Sequence, residues 1–115
     1  MPYGYQGKIL HVHLSEMRTE IEEPDEAFYR KYMGGSAMGA YYLLKHTPPE
    51  TDPLAPENTL TLAAGVVTGA PIAGNSRLAS VAKSPLTGVI GDAQSGGFFP
   101  AEFKFAGFDA AVFHG

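Results

Sequence analysis

The segment from Arg77 to Gly97, RLASVAKSPLTGVIGDAQSGG, constrains this chain more than any other. It strings a lone arginine, two polar turns and a glycine pair between strand-like runs. Glycines let a large ligand approach the main chain, where free N–H groups donate, and an arginine adds a planar fork suited to phosphate. On chemistry alone the segment reads as an anion pocket lined by backbone.

The rest of the chain reads as short strands and helices. Ile9, Leu10, Val12 and Leu14 form a first strand, a polar Ser15–Arg18 turn follows, and Thr19–Glu23 returns as the second, acidic arm of a hairpin. Pro24 and Asp25 open a helix that Asp25 caps, with Phe28, Tyr29, Tyr32 and Met33 at helical spacing until Gly34 and Gly35 stop it. A second helix is expected over Ser36–Lys45. Residues His46–Asn58 hold four prolines and no apolar period, so they read as an ordered connection. Strands are expected over Thr59–Val67, Arg77–Lys83 and 88–93, then a short helix from Pro100 to Gly107 and a last strand over Ala110–Phe113. The fold class is therefore α+β, a mixed or antiparallel sheet with two or three short helices on one side.

Bulk properties narrow the function classes. The 115 residues carry a net charge of −4, which disfavours nonspecific nucleic-acid binding, and have no basic patch. No apolar run approaches the length of a membrane span, and the N-terminus lacks the apolar core of a signal peptide. With no cysteine, the chain cannot hold an iron–sulfur cluster by thiolate ligation.

KSPLTG at Lys83–Gly88, SGGFF at Ser95–Phe99 and EFKFAG at Glu102–Gly107 resemble the aldehyde ferredoxin oxidoreductases. YGYQGKIL near the start, YMGGSAMGAYYLL at Tyr32–Leu44, DPLAPEN at Asp52–Asn58 and AAGVVTGAPIAG at Ala63–Gly74 resemble the N-terminal domain of that family, in the expected order. The resemblance covers essentially the whole chain. It implies the platform portion of a cytoplasmic enzyme that oxidises aldehydes to carboxylic acids. That enzyme uses tungstopterin, a bis-pterin carrying tungsten or molybdenum with a bridging magnesium, and delivers electrons through an iron–sulfur cluster to ferredoxin. The cluster ligands and the catalytic residues would lie in later domains, so none is assigned here. The family domain is longer and built from two similar halves, so residues 1–115 are expected to be a partial domain. Such a half-domain should expose an apolar face and self-associate as a homo-oligomer. The alternative is a stand-alone, noncatalytic module that kept the platform fold to bind a small ligand or to assemble.

The resemblance also nominates residues. Arg77 matches an arginine that reaches the cofactor. Gln94, Ser95 and Gly96 match a cofactor-contacting turn, in which an asparagine usually stands at the Gln94 position and helps to hold the magnesium. Glutamine keeps the amide oxygen but shifts it by about a bond length. A second departure lies at Ser36 and Ala37, where the family often has an arginine. Asn75 and Ser76 can donate to the pterin or its phosphate, or simply shape the turn. Lys83 reads as a solvated strand end. His11 and His13 share a strand face and can hold a metal at that spacing, but no third ligand stands nearby. They are read as surface residues of the hairpin, and no metal ligand is assigned. His46 and His114 have no partner in sequence. Asp92 and Glu102 form no compelling acid–base pair, and the acidic run Glu20–Glu26 reads as solvated.

Overall fold

The computed structural model describes residues 4–115. Strands β1 (Ile9–His13) and β2 (Arg18–Glu22) are the opening hairpin. Helices α1 (Glu26–Tyr32) and α2 (Gly35–His46) follow, then β3 (Leu60–Ala64), β4 (Leu78–Lys83), β5 (Ile90–Ser95), α3 (Phe99–Phe105) and β6 (Ala110–His114). The six strands form one mixed sheet in the order β2-β1-β6-β3-β4-β5. Every neighbouring pair is antiparallel except β1 and β6, which run parallel in the register Ile9↔Ala110 through His13↔His114. The α+β expectation stands.

Local signals account for most of these elements. The Asp25 side chain accepts from Phe28 N at 2.9 Å and caps α1. The helix ends on Met33, whose φ of 62° satisfies its amide on Tyr29 O, one residue before the glycines expected to stop it. The strand expected over Thr59–Val67 ends earlier, at Ala64, because Gly65 to Ala70 turns back on itself through Thr68 N→Gly65 O and Ala70 N→Val67 O. Pro100 sits in the first turn of α3, where its missing N–H costs nothing.

Period-two alternation assigns the faces of the sheet. Ile9, Ala63, Ala110 and Val112 turn to one side and pack with Tyr29, Met38 and Tyr42 of α1 and α2 as the principal core. A smaller cluster joins Leu43 of α2 to Ala79 and Val81 of β4. Gly39 makes that approach possible, since a Cβ there would stand 2.5 Å from Val81 Cγ2. Leu10, Val12, Leu60, Leu62 and Phe113 point to the opposite side and remain partly exposed.

Candidate functional site

Arg77 lies just before β4, at the end of a loop that its own hydrogen bonds hold rigid. Thr68 Oγ1 is shared between Asn75 O (3.0 Å) and Arg77 O (3.1 Å), and Asn75 Nδ2 donates to Ala70 O at 2.7 Å. The Arg77 side chain is exposed, and among the described residues its guanidinium has no hydrogen-bond or ion-pair partner. Beside it runs the Gly96–Gly97 backbone. A Cβ at Gly96 would stand 3.2 Å from Ser76 O and 3.8 Å from Arg77 Nη1. Ser76 Oγ donates to Gly97 O at 2.6 Å and joins the two segments. Arg77, Ser76 and Gly96 thus form one open rim, with a free guanidinium beside bare main chain.

Gln94 and Ser95 occupy a different local structure from the one expected. They are the last residues of β5, paired with Ala79 and Leu78, rather than part of a turn, because the β4–β5 ladder runs two residues past the expected strand end. The turn begins only at Gly96. Gln94 Nε2 lies 3.3 Å from Ser36 Oγ, in the first turn of α2, and Oε1 has no partner among the described residues. Gly34 supplies no side-chain cap, so the first amides of α2 also remain available as donors near Gln94. Lys83 does not join this rim: its Nζ donates to Pro49 O and Thr51 O, both at 2.7 Å, and anchors the proline-rich connection.

Two constellations escaped the sequence reading. Lys104 and Asp109 form a buried ion pair, Nζ to Oδ1 at 3.1 Å, with side chains 3% and 4% exposed. Asp109 also accepts from Gln6 N, Gly7 N and Tyr29 Oη, and Lys104 donates to Gly4 O and Val66 O, so both charges are saturated. Burial, with the Asp109 charge adding to it, drives the Tyr29 phenol well above its ordinary range. The second constellation corrects the histidine reading. His11 is only 7% exposed, since its face of the hairpin lies under α2 rather than in solvent, and His46 and His114 do have partners. The two meet at a centroid distance of 4.9 Å, and His13 stacks on His114 at 4.7 Å. Burial pushes His114 down to about 4, and the neighbouring imidazoles add to that shift; burial also lowers His46, with the Lys45 charge and then His11 adding to it. One signal was legible, the shared parity of His11 and His13, but positions 46 and 114 are joined to it only by the fold.

The family model that describes the N-terminal domain of aldehyde ferredoxin oxidoreductase matches residues 9–115. The chain belongs to the aldehyde ferredoxin oxidoreductase family. It is 46% identical to the tungsten-containing aldehyde ferredoxin oxidoreductase of Pyrococcus horikoshii over 113 residues, and 47% identical to that of Pyrococcus furiosus. Each alignment takes in 98% of this chain and 19% of the relative, so the chain spans about a fifth of the length of these proteins. The WOR-like subunit of an aliphatic sulfonate oxidoreductase from Pyrococcus furiosus is 33% identical over 117 residues, covering 98% of this chain and 18% of that one. Among solved structures, the active-site complex of benzoyl-coenzyme A reductase with 1,5-dienoyl-CoA superposes with a TM-score of 0.95. The two are 36% identical over 100% of this chain and 18% of the other. The α+β sheet described above is thus the N-terminal fold of the aldehyde ferredoxin oxidoreductase family.

Proposed function

We propose that this chain is the cofactor-platform portion of a tungsten or molybdenum bis-pterin oxidoreductase that oxidises aldehydes to carboxylic acids in the cytoplasm, with ferredoxin as electron acceptor. The observation that carries this reading is the rim at Arg77: a guanidinium without a partner among the described residues, beside a glycine backbone with no side chain to block approach. A large anionic cofactor needs such a surface, and the chemistry of the donor set fits it. When bound, the cofactor supplies the two-electron redox step through its metal.

The chain's own residues bind and orient. Arg77 would hold a pterin phosphate through its planar guanidinium fork. Gly96 and the exposed Ser95 let the phosphate reach main-chain and hydroxyl donors, and the Gln94 Oε1 left open opposite Ser36 offers a hard oxygen to magnesium. Asn75 keeps the loop in shape through Ala70 O and has Oδ1 to spare for the ligand. The iron–sulfur cluster and the aldehyde pocket belong to parts of the protein other than residues 1–115, which form part of the platform domain.

The test is Arg77→Ala in the complete enzyme. Loss of a charged hydrogen bond worth about 1.5–3 kcal/mol should weaken cofactor binding roughly tenfold to a hundredfold and lower the tungsten and pterin content, while circular dichroism and thermal unfolding stay unchanged. Metal and pterin contents equal to those of the wild type would remove Arg77 from the cofactor site.

A further inference from the structure

The helix-side face of β1 and β6 carries imidazoles for which a cofactor platform has no use. His11 of β1, His46 at the end of α2 and His114 at the end of β6 each offer one ring nitrogen, and these nitrogens lie within 4.8 Å of one another. His11 Nδ1 and His114 Nε2 are 3.0 Å apart. Nitrogens bound at about 2.1 Å around a tetrahedral zinc ion lie roughly 3.4 Å from each other, so this pair is already near ligand spacing. His46 Nε2 is buried without a hydrogen-bond partner among the described residues, a state that costs free energy unless something else takes up the lone pair or proton.

The surroundings supply what metal-bound imidazoles need. His11 Nε2 lies 2.7 Å from Glu22 Oε2, which also accepts from Tyr42 Oη at 2.9 Å. A carboxylate in that place keeps the proton on Nε2 and turns the Nδ1 lone pair toward His114. Lys45 borders the same concavity, but its ammonium rests over the Tyr41 ring, 5.5 Å from the centroid.

We propose that His11, His46 and His114 form a binding site for one divalent transition-metal ion of the zinc type, with Glu22 orienting His11 and the fourth position open. The opening faces a concavity of 320 Å³ that His13 and Glu20 also line. An all-imidazole set suits zinc, cobalt or nickel and not the hard magnesium or calcium ions, which require oxygen, and the chain has no thiolate to attract a softer ion. Because the three ligands are far apart in sequence, the ion would pin β1, β6 and the end of α2 together.

The test uses the purified, tag-free protein, stripped with a chelator and then titrated with zinc chloride in a calorimeter and with cobalt chloride by visible absorption. One equivalent of zinc per chain, a tetrahedral-type cobalt spectrum displaced by zinc and a higher unfolding midpoint are expected. His46→Ala and His114→Ala should each abolish the equivalent. Glu22→Gln should keep the stoichiometry and weaken binding about 10- to 100-fold. Far-UV circular dichroism of each metal-free variant verifies that it is folded, and Glu22→Gln, which keeps all three ligands, reads out the site even where a histidine variant unfolds. Absence of saturable one-equivalent binding would overturn the proposal. So would binding that survives in a folded His46→Ala, or an affinity left unaltered in Glu22→Gln.

Discussion

Asp109 shows how much of this fold rests on single side chains. Its carboxylate accepts hydrogen bonds from Gln6 N, Gly7 N, Tyr29 Oη and Lys104 Nζ, and so holds the start of β6 against the start of β1 and against α1 and α3. Asp109→Asn would leave the Lys104 ammonium buried without its counter-charge, which should cost about 3–5 kcal/mol. Urea unfolding measures that loss directly; a change below about 1 kcal/mol would mean that the backbone acceptors Gly4 O and Val66 O suffice for Lys104. Gln94 presents the opposite case. Its Nε2 lies 3.3 Å from Ser36 Oγ, so two of the positions at which the chain is expected to depart from the family pattern touch each other. Gln94→Asn gives up that reach and installs the residue expected from the family resemblance. Its expected effect on the complete enzyme is cofactor content equal to or above wild type, measured as bound metal; a clear fall would show that the Gln94–Ser36 contact itself holds the site.

Among the elements, α2 does most to position what surrounds it. Its first turn carries Ser36 toward Gln94, its middle packs on the sheet and its last residue delivers His46 to the histidine cluster. The contact with β4 is made at Gly39, where no room exists for a methyl group. Gly39→Ala should therefore separate α2 from Val81 and destabilise the protein by about 1–3 kcal/mol, despite the gain in helix propensity. Thermal unfolding tests this, and a rise in the midpoint would show that Val81 yields freely. The start of α1 was readable in sequence because an N-cap is a local device: Asp25 needs only the amide three residues on. The end of β5 was not, because a ladder continues for as long as its partner does, and β4 offers Leu78 and Ala79 to Ser95 and Gln94.

At the scale of the whole molecule, α1 and α2 cover one face of the sheet and leave the other partly open. Leu10, Val12, Leu62 and Phe113 are incompletely buried there, and Leu60 is 41% exposed. An apolar face of this kind drives association. Sedimentation velocity at high protein concentration should show dimers or larger species, and a compact monomer throughout would count against this. Residue order by itself determined the α+β class, the hairpin, the Asp25 cap, the proline-rich connection and the family, because alternation, capping and turn chemistry act over a few neighbours and the family blocks are contiguous. It also nominated Arg77 as a site residue, since a lone arginine followed by a glycine-rich turn is a local pattern. Only the tertiary structure decided which charges and rings meet. The pairing of β1 with β6 sets residues about a hundred positions apart in parallel register and brings His114 to His11. The packing of α2 then adds His46 to that pair. Lys104 and Asp109 are only five residues apart, but the fold alone brings Gly4 O and Val66 O to Lys104 and so buries the pair. Contacts of this kind depend on strand order and helix placement, which the burial of the whole apolar face settles and no local window contains.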